Sequence, residues 1–546
     1  MQHTIVRLKD GLIQGSVEKG ISVFKGVPYA KPPVGDLRWK PPVKIDPWTD
    51  TVDATGYPAS AWQLGTESKL FINEIIDQSG FGLIKRTSAK WFINFARLVQ
   101  RQKQSEDCLY LNIRAPEYHP GDRLPVMVWI HGGDHQDGSG NGFPYETDSF
   151  CHEGVILVTI NYRLGVFGYL CHPDLSAESE LGASGNYGTL DQIAALQWIQ
   201  DNISDFGGDP NQVTIFGESA GGESVAHMLT SPLAEGLFAR AIIQSGANSG
   251  QMQHQKESAL GHESGEFRGE TFADNFTSAP NQMDALRRVP ASEIMAHIRS
   301  EEDFELRGFF PVIDGYVLPM SPFESFRQGT QADVPLLVGS NSDEGSLFAP
   351  HIPIPLIEYR GLEPSPEEME NLLSKEFLDD TNLIKELYPG IEDSDYLSKQ
   401  KMLGDSLFGA PAFYYARLHA QKNPNTFLYY FNQQPPSEKQ TAGAYHAAEL
   451  GYVFDLRSPI FPKSKAGKQL AKTINLTWAE FARSGRPNNS TLPTWPAFID
   501  ESPQWMLYGS LVEAAPVSKE SQYRVLNHRL ERQLDEIKLK LISQPV

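Results

Sequence analysis

Apolar positions along this chain fall into two kinds of run. The first is short, rich in β-branched and aromatic residues, and almost unbroken. It occurs at residues 125–130 (PVMVWI), 155–160 (VILVTI), 213–216 (VTIF), 241–243 with their flanks, 335–338 (PLLV) and 427–431 (FLYYF). A strand without polar alternation suits a sheet covered on both faces, the usual situation of parallel strands beneath helices. The second kind repeats every three or four residues. Across 190–203, Leu190, Ile193, Leu196, Ile199 and Ile203 make one apolar stripe of a helix. Strand, helix and strand in succession predict an α/β architecture, a large and mostly parallel central sheet flanked by helices.

The remaining segments modify that frame. Residues 4–17 and 21–24 predict a small antiparallel hairpin or meander at the start of the chain. From about 350 to 411 the pattern is polar helix without a visible strand, expected to form a helical cap over the sheet's edge. Residues 518–541 predict a charged, amphipathic and solvated terminal helix, with partner binding as the alternative. No internal repeat is present. The expectation is one domain over 1–546, carrying the cap and a lid-like insertion at about 64–105.

Composition acts mainly by exclusion. With 40% hydrophobic and 21% charged residues in 546, the chain is expected to fold nearly throughout. A formal net charge of −21 argues against a nucleic-acid partner, whose binding face must neutralise phosphates. Cys108, Cys151 and Cys171 form neither a disulfide framework nor a CxxC or Cys/His cluster, so no metal and no cofactor are expected. No stretch approaches the roughly 18 apolar residues of a membrane span, and no signal-peptide run opens the chain. A cytoplasmic protein, monomeric or a small homo-oligomer, is the expectation; a secreted protein without its leader is the alternative.

One segment carries chemistry. Gly217-Glu218-Ser219-Ala220-Gly221 follows the run at 213–216 and precedes a helical stretch, which is the setting that gives G-x-S-x-G meaning. A serine on a sharp strand-to-helix turn projects its hydroxyl above the sheet, at the positive end of the following helix. Such a hydroxyl is a weak nucleophile and needs a histidine base oriented by a carboxylate, in the chain order serine, acid, histidine. After PLLV come Asp343 and Glu344, which compete for the acid by position; after FLYYF comes His446. The turn His131-Gly132-Gly133-Asp134-His135, directly after a core strand, is placed to stabilise an oxyanion through backbone N–H groups, with Ala220 N–H as another donor. Gly138-Ser139-Gly140 lacks the ending and the frame of a phosphate loop.

These residues, with the stretches around them, resemble the type-B carboxylesterase and cholinesterase family of α/β hydrolases. The resemblance runs through FKGVPYAKPPVGDLRW (24–39), EDCLYLN (106–112), NYRLGVFGYL (161–170), GNYGTLDQIAALQWI (185–199) and DFGGDPNQVTIFGESAGG (205–222). It continues in PVIDG (311–315), SDEG (342–345) and YHAAELGYVF (445–454). It implies Ser219, Glu344 and His446 as the catalytic triad and the N–H groups of Gly133, Asp134 and Ala220 as the oxyanion hole. It also implies Glu218 as a pocket residue, with His135 near the substrate, and two structural ion pairs, Arg38 with Glu106 and Arg163 with Asp191. The expected function is hydrolysis of a small-molecule carboxylic ester through an acyl-enzyme. A lipase or amidase on the same triad is the alternative, and a non-catalytic binding protein the more distant one.

Three departures from the family pattern bear on substrate. Asp134 stands where a third glycine is usual, which is expected to narrow tolerance for bulky alcohols. Cys108 has no upstream partner near 58–63, so a loop that relatives clamp is unclamped here. Residues 78–105 carry Lys85, Arg86, Lys90, Arg97, Arg101 and Lys103 with no acid, interleaved with Trp91, Phe92, Ile93, Phe95 and Leu98. That pattern reads as a lid helix, apolar face down and basic face wet, or as a lid attracting anionic substrates or surfaces. Glu305 and Arg307 fall near acyl-pocket positions, where Arg307 either recognises a carboxylate or makes a surface salt bridge.

Overall fold

A computed structural model describes residues 2–543 apart from 100–102, 120, 247–251, 259–262, 302–307, 353–363, 435–439, 457–462 and 491. Each near-unbroken apolar run lies on a strand of one mixed sheet. In chain order the strands are β1 (Gln2–Arg7), β2 (Leu12–Glu18), β3 (Ile21–Pro28), β4 (Val52–Asp53), β5 (Tyr110–Ala115), β6 (Leu124–Ile130), β7 (Ile156–Ile160), β8 (Gly208–Glu218), β9 (Arg240–Gln244), β10 (Leu336–Asn341), β11 (Thr426–Phe431), β12 (Gln504–Tyr508) and β13 (Val512–Pro516). Their spatial order is β1-β2-β3-β5-β7-β6-β8-β9-β10-β11-β12-β13, with β4 beside β2. From β7 to β12 every pairing is parallel, while along the flanks the strands of that order pair antiparallel and only the two-residue β4 joins β2 in parallel. The opening meander is therefore an edge of the main sheet.

Alternation along β6 shows how the core is built. Val126, Val128 and Ile130 enter one apolar cluster, and Met127 and Trp129 enter another, because successive side chains leave a strand on opposite faces. Leu196 and Val225, from helices Tyr187–Asn202 and Ala220–Thr230, cover the first face. Leu470, Ile474 and Trp478, from helix Lys465–Ser484, cover the second. Parallel strands sandwiched in this way must be apolar on both sides, which is why their runs are unbroken.

Two expectations change. The helix Tyr187–Asn202 does not bury a single stripe: Asp191, Gln192 and Trp198 are buried alongside Leu196 and Ile199, and Leu190 and Ile193 are only half-buried. The helix is enclosed on most sides, so its polar residues find partners inside. The terminal helix Glu520–Ser543 is not merely solvated; Tyr523, Leu526, Leu530 and Leu534 join the core. Between 364 and 420 the chain is helical, in Pro366–Phe377, Thr381–Leu387, Tyr396–Gly404 and Ala410–Ala420, with a π turn at Asp405–Gly409 between the last two. The three cysteines are free and buried.

Candidate active site

All of the chemistry-bearing segments sit at the carboxyl ends of parallel strands, where loops converge over the sheet. Strand β8 ends at Glu218 and the helix Ala220–Thr230 begins two residues later, so Ser219 takes the whole reversal, with φ 58° and ψ −129°. That conformation is costly for a residue with a side chain and persists only where neighbours fix it. Here Ser219 N–H donates to Gln244 O at 3.0 Å, and Glu223 N–H donates to Ser219 O at 2.9 Å. Gly221 is obligatory: a side chain there would meet the carbonyl oxygen of Ile130 well inside van der Waals contact.

The candidate base, His446, and its candidate acid, Glu344, arrive from the loops after β11 and β10. Glu344 Oε2 lies 2.6 Å from His446 Nδ1. Its other oxygen accepts from Ser245 Oγ at 2.5 Å and Asn341 N–H at 2.7 Å. Asp343, its rival by position, faces elsewhere: its Oδ2 accepts from Ala444 N–H at 2.9 Å and so ties down the loop before His446. The nitrogen of His446 that Glu344 does not occupy, Nε2, turns toward the elbow and lies 3.1 Å from Glu218 Oε1. Burial raises the Glu218 carboxyl to about 8, against the ion pairing with His446. For His446 burial works downward, but Glu218 and Glu344 outweigh it and push the imidazole up to about 9.

A further carboxylate, Glu449, completes a buried network. It accepts from Asn341 Nδ2 at 2.6 Å and Gln244 Nε2 at 3.0 Å, and Gln244 in turn accepts from Trp478 Nε1 at 3.0 Å. Burial raises the Glu449 carboxyl, with the Glu344 charge adding to it. Three phenylalanines enclose the imidazole: Phe408 at 4.5 Å, Phe348 at 5.1 Å and Phe71 at 6.4 Å between ring centroids. Sequence reasoning missed all four residues. The phenylalanines come from three separate segments, the helix Thr66–Gln78, the turn after Glu344–Ser346 and the π turn Asp405–Gly409, and only the motif-adjacent Glu449 had a local signal, three residues beyond His446.

The turn after β6 faces the elbow. A side chain on Gly132 would lie 3.1 Å from Ser219 Cβ, so the two segments are in direct contact. Gly133, Asp134 and His135 follow with φ of 109°, 56° and 54°. Two successive left-handed non-glycine residues cost about 1–2 kcal/mol each. Gln136 and Asp137 N–H groups both donate to Gly133 O, at 3.0 and 2.8 Å, closing the turn. Asp134 is exposed, whereas His135 is buried, with Nε2 3.3 Å from Glu223 Oε2 and Nδ1 3.4 Å from the Tyr169 hydroxyl. The imidazole of His135 is thus taken up by protein partners. His131, also buried, is held down at about 4 by desolvation and stacks on Tyr162.

Arg38 meets Glu106 through two contacts of 2.6 Å, and Arg163 meets Asp191 through two of 2.7 Å. Glu305, Arg307 and Arg101 lie outside the described residues, as does the side chain of Arg97. The insertion contains helices Thr66–Gln78 and Leu83–Val99. Part of the basic charge there is spent on Asp77, which Lys90 reaches at 2.6 Å. Gln78 docks the first helix beside the site by donating to Ser346 O at 3.0 Å.

The geometry can be set beside known proteins. A model of the carboxylesterase family matches residues 2–525. The chain belongs to the carboxylesterase family. It is 35% identical over 538 residues to the para-nitrobenzyl esterase of Bacillus subtilis (strain 168), covering 96% of this chain and 98% of that protein. It is 34% identical over 529 residues to the fumonisin B1 esterase of Sphingopyxis macrogoltabida, covering 94% and 87%. A solved PNB esterase superposes with a TM-score of 0.77 at 32% identity, covering 97% of this chain and 99% of that one. The Geobacillus stearothermophilus carboxylesterase gives 0.76 at 29% identity, covering 96% and 99%. This carboxylesterase-family chain has the α/β-hydrolase fold, a mostly parallel sheet flanked by helices with an N-terminal β segment and helical insertions. Among the described residues no cluster could hold a metal ion, and no helix is long and apolar enough to cross a membrane.

Proposed function

We propose that this carboxylesterase-family chain hydrolyses carboxylic esters by two-step acyl transfer, with Ser219 as nucleophile, His446 as base and Glu344 as its orienting acid. The observation that carries the reading is the Glu344 contact with His446 Nδ1, which leaves Nε2 turned toward the Ser219 elbow. Ser219 Oγ attacks the ester carbonyl while His446 Nε2 takes its proton. The carbonyl oxygen becomes an oxyanion beside the N–H groups of Gly133, Asp134 and Ala220. Neither Gly133 nor Ala220 N–H has an acceptor among the described residues. The C–O bond then breaks, and the alkoxide leaves with the proton from His446. Water, deprotonated by His446, attacks the acyl-enzyme, and the second oxyanion collapses, breaking the acyl–Oγ bond as His446 returns the proton to Ser219 Oγ and the acid leaves. Glu344 stabilises the imidazolium at both stages through Nδ1.

Two of the relatives above are named for ester substrates, which supports an esterase over an amidase. Labelling with a fluorophosphonate, followed by peptide mapping, is expected to place the adduct on Ser219. Ser219→Ala is expected to abolish labelling and to lower turnover of p-nitrophenyl acetate roughly 10,000-fold or more. An adduct elsewhere, or retained turnover, would overturn the assignment. A p-nitrophenyl ester panel of rising acyl length separates esterase from lipase: activity falling beyond short chains is the expected outcome.

A further inference from the structure

Behind the turn that faces Ser219 lie buried and half-buried polar groups for which the acyl-transfer mechanism has no use. His135 reaches from the end of that turn to Glu223 Oε2, at 3.3 Å. Glu223 belongs to the first turn of the helix that starts at the elbow, and its N–H is bonded to Ser219 O. Its other oxygen lies 3.7 Å from Nε2 of His227, which is fully buried one helical turn further on. Tyr169 closes the other side of the His135 ring, 3.4 Å from Nδ1 and 5.3 Å between centroids. One side chain therefore spans the gap between the glycine turn and the helix carrying the candidate nucleophile.

Mutual satisfaction of buried polar groups explains the contacts but not the backbone. His135 is the third left-handed residue in succession and, like Asp134, has a side chain that disfavours that conformation. Its carbonyl oxygen is also fixed, accepting from Gly165 N–H at 2.7 Å. A strained segment persists only where its surroundings over-determine it. Here the turn is anchored at its far end by both backbone and imidazole, next to N–H groups that must hold one position relative to Ser219.

We propose that His135 and Glu223 form a clamp that positions the oxyanion donors of Gly133 and Asp134 against Ser219 and Ala220, with His227 packing the far side of the Glu223 carboxylate. This rests on the reading of the site as an ester hydrolase. Both are positioning residues, since neither touches the reacting atoms. Donors aimed at an oxyanion act on the transition state and hardly at all on the bound ester, so loosening the clamp lowers kcat and spares KM.

The test uses full-length protein and four variants. His135→Asn tolerates the left-handed backbone but is too short to reach Glu223; Glu223→Leu removes the acceptor; Glu223→Gln keeps both shape and acceptor; Ser219→Ala controls for the chemistry. With p-nitrophenyl acetate, His135→Asn and Glu223→Leu are expected to lower kcat roughly 10- to 100-fold, with KM changed less than about twofold. A trifluoromethyl ketone, whose serine adduct carries an oxyanion, should lose affinity by the same factor. Glu223→Gln should stay within about threefold of the parent, and the double variant should be no slower than the worse single, because the two residues act as a unit. A kcat left intact in His135→Asn, ketone affinity unchanged while kcat falls, or losses that multiply in the double variant would each overturn the clamp. If Glu223→Leu fails to fold, His135→Asn decides alone. Full turnover in Ser219→Ala would instead overturn the hydrolase reading, and the clamp with it, without reference to His135.

Discussion

His446 stands between two carboxylates, and the sign of their effect is testable. On the proposed reading the imidazole must be neutral to accept the Ser219 proton, so the acid limb of kcat/KM follows its deprotonation. Burial pulls His446 down, but Glu218 and then Glu344 favour the charged form and carry it up to about 9. Because Glu218 is itself raised, to about 8, the two groups titrate as a pair. The acid limb is therefore expected above the ordinary imidazole value of about 6.5. Glu218→Gln removes a charge that stabilises imidazolium, so the limb should move to lower pH in a kcat/KM profile. A limb that stays in place would assign it to another group. At Asp134, glycine would relieve a left-handed side chain and clear the turn. Asp134→Gly is expected to stabilise the chain by about 1 kcal/mol and to raise the rate on tertiary-alcohol esters relative to primary ones. An unchanged ratio of those two rates would show that bulk at 134 does not set alcohol tolerance.

One element packed against the His446 ring is one that no pattern announced. The π turn Asp405–Gly409 inserts an extra residue between Tyr396–Gly404 and Ala410–Ala420, and it carries Phe408 onto the His446 ring. Its first residue is held by the Tyr388 hydroxyl at 2.8 Å and by Lys519 Nζ at 2.7 Å, just before the terminal helix. Lys519→Met leaves the Asp405 carboxylate buried and uncompensated, which costs about 3–5 kcal/mol. The loss should appear in urea denaturation, and kcat should fall in the folded fraction as Phe408 shifts. Asp405→Asn added to Lys519→Met should recover part of that stability. No recovery would mean that the pair acts through packing alone. To sequence reasoning, 405–409 looks like ordinary helix, because a one-residue insertion leaves the apolar spacing almost intact. Strand β5 was hidden for the opposite reason: Asn112 and Arg114 break its apolar run, yet both are buried, with Arg114 paired to Asp148 and Asn112 donating to Thr159. Periodicity reports what faces apolar neighbours, and it is blind to polar residues that are satisfied inside.

At the scale of the whole molecule, the legible part was the part written locally. Apolar runs marked the strands of the parallel block other than β12; the elbow and both acids lie within a few residues of strand ends, and the histidine lies in the loop that follows β11. Strand order, the docking of the opening meander onto β5 and the phenylalanines around His446 depend on contacts between distant segments, and no window of sequence contains them. The Arg163–Asp191 pair belongs to that second class and was available only through family resemblance. It joins the loop after β7 to the helix Tyr187–Asn202, both side chains are buried, and Arg163 Nη1 also donates to Lys40 O at 2.9 Å. The same loop supplies Tyr162, stacked on His131, and Gly165, whose N–H holds the His135 carbonyl. A charge left alone here would be desolvated without compensation, at a cost of about 3–5 kcal/mol. Asp191→Asn should lose that much in equilibrium unfolding and shorten the half-life at elevated temperature. The double change Arg163→Met with Asp191→Leu should be more stable than Asp191→Asn, because filling the site with apolar atoms removes both desolvated charges. It should still lose activity, since a thioether side chain has no donor with which to hold the loop through Lys40 O. A single variant costing under about 1 kcal/mol would show that water reaches Arg163, and the pair would then count for loop geometry alone.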